Sequence, residues 1–97
     1  MNRFFVLVAA AGTLAACQRD NLQVVEYQCG ELEVSAVFRG PDRATVAIGD
    51  RKLELELVPA ASGAKYADGA GNEIWTKGLD EALLTLAGSP PVACQST

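Results

Sequence analysis

A chain of 97 residues with 12 acidic and 8 basic side chains carries a formal net charge of −4 and has no histidine. That length excludes a multi-domain protein, and the absence of a basic patch excludes nucleic acid as a partner. Without imidazole, the serine–histidine and cysteine–histidine nucleophile pairs and the usual zinc sites are excluded as well.

The chain opens with processing signals. Met1-Asn2-Arg3 is a short basic start, and residues 4–11 form an apolar run too short to span a bilayer as a stable helix. Leu14-Ala15-Ala16-Cys17 places small residues directly before a cysteine and resembles a bacterial lipobox. Residues 1–16 are therefore expected to be a lipoprotein signal peptide, with Cys17 acylated and first in the mature chain. Gln18, where an aspartate would direct retention elsewhere, points to an outer-membrane lipoprotein facing the periplasm. Two or more acyl chains anchor a protein stably where one does not. Loss of Arg3 with the signal leaves seven basic against twelve acidic residues, a net charge of −5. An anionic membrane repels such a domain, so its attachment rests on the lipid, while a basic protein is steered towards it at low salt.

Residues 17–21 read as the lipidated cysteine and a polar tether, whose four residues 18–21 reach about 14 Å when extended. The domain proper, residues 22–97, follows a period of two rather than 3.6. Val25, Tyr27 and Cys29 share one face; Leu32, Val34, Ala36 and Phe38 alternate with Glu31, Glu33, Ser35 and Val37. After a turn at Gly40-Pro41-Asp42-Arg43, Ala44, Val46 and Ile48 continue the pattern, and Gly49-Asp50 turns again. Leu53, Leu55 and Leu57 then alternate with Glu54 and Glu56. Leucine and glutamate are good helix formers, but alternation between flanking turns predicts a strand. Residues 64–68 and 72–77 read as a hairpin around Gly69-Ala70-Gly71. Residues 79–86 are the one place where a short helix competes, with a strand over 82–87 preferred. Val92-Ala93-Cys94 closes the domain after Pro90-Pro91, which suit a strand start or an edge.

Eight short antiparallel strands in meander order, each with one apolar face, predict an all-β fold: a small barrel filled by its own side chains. A flattened sandwich of the same strands is the alternative. With Cys17 lipidated, Cys29 and Cys94 remain as a pair, and the oxidising compartment of an exported protein favours a disulfide joining the first strand to the last.

Few residues suggest chemistry. Glu54 and Glu56, like Glu31 and Glu33, lie two apart on exposed strand faces, as solvated exteriors do. The run from Asp68 to Asn72 lacks the acidic count of a calcium loop and reads as a hairpin turn. No cofactor, metal or small-molecule substrate is expected, and the protein is not expected to be an enzyme. Ser62, Gly63, Lys65 and Tyr66, followed by Trp75, Lys77 and Gly78, each have an ordinary explanation as loop or strand-end residues, and one of the two aromatic rings is expected to fill the barrel.

Taken together, Ser62-Gly63-Ala64-Lys65-Tyr66 and Trp75-Thr76-Lys77-Gly78, set between Tyr27-Gln28-Cys29 and Cys94, resemble the membrane-bound lysozyme inhibitor family, the MliC group that acts on c-type lysozymes. The resemblance covers essentially the whole mature chain; Lys65 stands where related sequences often have arginine. It implies a proteinaceous competitive inhibitor whose partner is a c-type lysozyme, with Ser62 and Lys77 entering the enzyme's active-site cleft against its catalytic carboxyl groups. Gly63, Lys65, Tyr66, Trp75 and Gly78 complete the implied binding set. The alternatives are a structural or assembly lipoprotein of the envelope that uses the barrel as a scaffold, and a small-ligand carrier.

Overall fold

The alternation read from the sequence becomes eight strands because each has one face that must leave water. A computed structural model describes residues 22–97; the signal peptide (1–16), the acylation of Cys17 and the tether to residue 21, all expected from the sequence, lie outside the described residues. The strands are β1 (Leu22–Cys29), β2 (Leu32–Arg39), β3 (Arg43–Ile48), β4 (Arg51–Val58), β5 (Ala64–Ala67), β6 (Glu73–Lys77), β7 (Glu81–Thr85) and β8 (Val92–Ser96). They pair antiparallel in sequence order, and β8 returns to β1, so the sheet is a closed barrel rather than a sandwich. Closure leaves no open sheet edge.

Burial decides the two ambiguous segments. In β4, Leu53 and Leu55 are buried while Glu54 and Glu56 face water, a separation that only a two-residue period achieves. In β7, Ala82 and Leu84 are buried together, and the strand spans residues 81–85, with residues 79–80 turning into it. Leu57 departs from the expected pattern: it is 44% exposed, although it lies opposite the buried Tyr66.

The interior is packed with Tyr27, Val34, Phe38, Val46, Leu55, Tyr66, Ile74 and Leu84, interleaved with Ala36, Ala44 and Ala82. Large residues facing small ones fill a narrow barrel without a central channel. The outer face carries Glu26, Gln28, Glu33, Lys52, Glu54 and Glu56, all exposed. Apolar inside and charged outside is the reverse of a membrane-spanning barrel. Among the described residues no helix is long and apolar enough to cross a membrane.

The strand ladders are unequal. β1 and β2 pair along eight positions, from Leu22 opposite Arg39 to Cys29 opposite Leu32. Two seams have only three pairs each: β1–β8 (Tyr27 with Ser96, Gln28 with Gln95, Cys29 with Cys94) and β4–β5 (Glu56 with Ala67, Leu57 with Tyr66, Val58 with Lys65). The first seam is stapled. Cys29 and Cys94 form the expected disulfide, with Cα atoms 4.1 Å apart. Beside it the Tyr27 hydroxyl donates to the Leu79 carbonyl at 2.9 Å, the Ser96 N–H to the Asp80 carbonyl at 2.9 Å, and the Thr97 N–H to the Glu26 carbonyl at 3.0 Å. Burial, with the Asp80 charge adding to it, raises the Tyr27 pKa above its ordinary value, so the phenol remains a donor.

Because the strands alternate in direction, the barrel has two distinct ends. One carries the start of β1, connections 40–42, 59–63 and 78–80, and the end of β8; the other carries connections 30–31, 49–50, 68–72 and 86–91. At this second end the Asp68 carboxylate accepts from the N–H groups of Ala70 (2.8 Å) and Asn72 (3.2 Å) and from the Asn72 amide (2.8 Å). The buried Asn72 in turn accepts from the Ala87 N–H at 2.8 Å. The segment is a hydrogen-bonded turn, as the sequence suggests, and no cluster of metal-ligating side chains occurs among the described residues.

Removing both cysteines, as Cys29→Ala with Cys94→Ala, is expected to cost about 4 kcal/mol in the chain-entropy model, given a sequence separation of 65 residues. Urea unfolding of oxidised and variant protein measures this. The Asp68 carboxyl is held below its ordinary value of 3.8, chiefly by the Asn72 side chain and then by the Ala70 N–H. A carboxylate whose folded pKa is depressed stabilises fully above the unfolded value and loses that effect as pH falls through the folded one. An NMR titration should therefore find Asp68 protonating at lower pH in folded protein than in urea.

Candidate protein-binding site

The β4–β5 seam has no covalent staple, and the connection that crosses it, residues 59–63, carries Ser62. Its position is set from β6. Period two puts Ile74 and Thr76 inside the barrel and Trp75 outside. From there the indole N–H donates to the Ser62 carbonyl at 2.7 Å. The Thr76 hydroxyl donates to the Ala64 carbonyl at 3.3 Å. Between them Gly63 has φ of +66°, and a Cβ at this position would lie 2.1 Å from the Thr76 carbonyl oxygen. Only glycine permits both that backbone conformation and that approach. The loop is thus clamped to the strand that bears Lys77.

Lys77 ends β6, and Gly78, at φ of +72°, turns the chain away immediately after it. Its ammonium lies 5.1 Å from the centroid of the Trp75 ring, and that of Lys65 lies 4.6 Å from the same centroid. Both distances are within cation–π range. The two lysines differ in their remaining partners. Lys65 approaches the Glu73 carboxylate at 4.0 Å. Among the described residues no carboxylate comes within 4.0 Å of the Lys77 ammonium, and the residue is exposed. Ser62 is exposed as well.

Gly63 and Gly78 also line a common cleft of about 360 Å³ at the mouth of the barrel, with Gln23, Phe38, Tyr66 and Thr76. The structure thereby brings the Ser62 loop and the Lys77 turn to one rim. Tyr66 is not on that rim. It is 6% exposed, and its ring packs at 5.4 Å from that of Phe38, so of the two aromatic residues it is Tyr66 that fills the barrel. Burial, and secondarily Asp42, raises its pKa.

Sequence reasoning missed the tie between the Trp75 indole and the Ser62 carbonyl, and the placing of two cations against one indole. The available signal was the outward register of Trp75 between two inward residues, together with a glycine directly after Ser62.

A surface with two loops on one rim, a cation with no carboxylate within 4.0 Å among the described residues and a half-buried indole suits a protein partner better than a small substrate. Similarity to known proteins agrees. The family described as the membrane-bound lysozyme inhibitor of c-type lysozyme, MliC, matches residues 27–93. The chain belongs to the MliC family. The matched span contains both arms of the site, from Ser62 to Gly78, and ends just before Cys94. Among solved structures the chain resembles Pseudomonas aeruginosa MliC in complex with hen egg white lysozyme, at 26% identity and a TM-score of 0.57, covering 100% of this chain and 97% of that one. No curated protein is significantly similar. The likeness to that structure agrees with the closed barrel found here.

Two substitutions separate the clamp from the barrel. Trp75→Phe removes one hydrogen bond and is expected to cost about 1 kcal/mol of stability. Gly63→Ala adds a backbone clash and a disfavoured φ, and should cost more, on the order of 1–3 kcal/mol. Urea unfolding gives the magnitudes, and amide exchange over residues 59–63 should rise in both.

Proposed function

We propose that this protein inhibits c-type lysozyme by inserting the Ser62 loop and the Lys77 side chain into the enzyme's active-site cleft, so that bacterial peptidoglycan is protected by occupancy of that cleft rather than by any reaction. The observation that carries the reading is the Lys77 ammonium, which among the described residues has no carboxylate within 4.0 Å and lies beside the Trp75 ring that holds the Ser62 loop. Family membership and the likeness to an MliC–lysozyme complex support it.

The chemistry follows from the target. A retaining glycosidase keeps one carboxylic acid protonated and a second carboxylate ionised, a few ångströms apart. Lys77 supplies the countercharge for the ionised group, and a charge-assisted hydrogen bond in a partly dry cleft is strong. The Ser62 hydroxyl both donates and accepts, so it meets the other carboxyl group in either protonation state. Pro59, Ala60 and Ala61 add no charge and little bulk, so the loop enters a narrow cleft without clashing. Lys65, Trp75 and the two glycines hold the arms in place; Tyr66 acts from the core, packing beneath the loop. With the clamp already formed in the free protein, less entropy is lost on binding. The domain's net negative charge steers a basic enzyme towards it.

In this reading Cys17 is lipidated after removal of residues 1–16, and the protein faces the periplasm from the outer membrane. The acidic outer face around Glu54, which a scaffolding role would use, has a structural account: the Thr45 hydroxyl donates to Glu54 at 2.9 Å and accepts from the Arg39 Nε–H at 3.1 Å.

Residues 18–97 hold all eight strands and the disulfide and should inhibit lysis of bacterial cells by egg-white lysozyme at stoichiometric amounts, followed by turbidity. Lys77→Ala should weaken binding by about 2–5 kcal/mol if the ammonium is buried against a carboxylate, and Ser62→Ala by about 1 kcal/mol. Neither exposed residue should alter folding stability. Unchanged inhibition by the double variant would reject the insertion mechanism.

A further inference from the structure

Tether and binding loops leave the barrel at the same end. Antiparallel register puts the start of β1 beside connections 40–42, 59–63 and 78–80. Gln23, one residue into β1, lines the same mouth cleft as Gly63 and Gly78. From Cys17 to Leu22 the chain extends at most about 17 Å. A globular domain of ~100 residues has a radius of gyration of about 13 Å, hence a diameter near 30 Å, and does not fit a gap of that width.

Surface chemistry favours the same orientation. Of the five exposed large apolar side chains among the described residues, Leu22 (53%), Val24 (57%) and Leu79 (42%) lie at the end where β1 begins. Leu57 lies at this end too, its N–H donating to the Asp42 carbonyl in connection 40–42. Charge is distributed unequally between the ends. Among strand-terminal residues and connections, Arg39, Arg43 and Lys77 balance Asp42, Asp80 and Glu81 at the tether end, whereas Glu31, Asp50, Asp68 and Glu73 face Arg51 alone at the other. An anionic lipid surface repels the far end and leaves the neutral, apolar-rimmed end free to approach.

We infer that, in the anchored protein, the barrel end bearing Ser62 and Lys77 rests on the bilayer that holds the Cys17 lipids, so that membrane and lysozyme compete for one surface. The inference depends on the lipidation and the lysozyme site proposed above, and adds regulation: the anchor itself holds the inhibitor in a closed state. Apparent affinity falls by the fraction of time the end is lifted off, so exposure for a tenth of the time weakens inhibition about tenfold.

Two measurements on the mature lipidated protein, reconstituted in vesicles of phosphatidylethanolamine with a minority of phosphatidylglycerol, test this. Amide exchange should slow at 40–42, 59–63 and 78–80 relative to soluble residues 18–97, and stay unchanged at 30–31, 49–50 and 68–72. Lysozyme inhibition by the vesicle-bound protein should be about tenfold weaker than by residues 18–97. Insertion of about twenty glycine and serine residues before Leu22, with an end-to-end distance of roughly 25 Å, should restore it. Unchanged exchange at the tether-end connections, or slowing at the far end, overturns the inference. Equal inhibition by anchored and soluble protein overturns the competition. Should residues 18–97 fail to inhibit at all, the lysozyme reading falls, while the exchange data still decide the orientation.

Discussion

Everything in this protein depends on closing eight short strands into a ring whose final seam is thin. β1 and β8 meet over three residue pairs, and the Cys29–Cys94 bond lies within that ladder rather than beside it. In a domain this small, the core supplies little surplus stability once chain entropy is met. A covalent link at the final seam restricts the unfolded chain where the longest loop must be closed. Tyr27 contributes at the same place, with its ring in the core and its hydroxyl reaching the Leu79 carbonyl.

The second thin seam, β4–β5, is used differently. The connection across it is held from the next strand, β6, by the Trp75 indole donating to the Ser62 carbonyl and the Thr76 hydroxyl to the Ala64 carbonyl. The connection over this thin seam is thereby fixed against its neighbour. Gly63 makes this possible, since any side chain there would displace the loop from the Thr76 carbonyl. One indole therefore does two things, orienting the loop through its N–H and receiving two ammonium groups near its ring. Glu73 lies 4.0 Å from the Lys65 ammonium, and no carboxylate among the described residues comes as close to Lys77.

Much of the fold was legible because a barrel wall imposes a strict period. Leu53, Glu54, Leu55 and Glu56 specify a strand against their own helix propensity, since no helix separates them into a buried and an exposed pair. Turn positions were legible from glycine for the same local reason. The MliC resemblance was carried by two short motifs, Ser62 to Tyr66 and Trp75 to Gly78, which pair in the barrel, and by cysteines that meet at the β1–β8 seam.

The sequence by itself determined the strand pattern and the pairing of Cys29 with Cys94 once Cys17 was set aside. Tertiary structure alone decided how the side chains are arranged. It sent Tyr66 inward and Trp75 outward, because paired residues share one face of the wall: Tyr66 pairs with the buried Ile74, and Trp75 with Lys65 in the next, outward pair. It joined the Ser62 loop to the Lys77 turn across a cleft, and put both at the end where β1 begins. Distances between residues far apart in the chain follow from strand direction and closure of the ring, which are properties of the assembled sheet and not of any stretch within it.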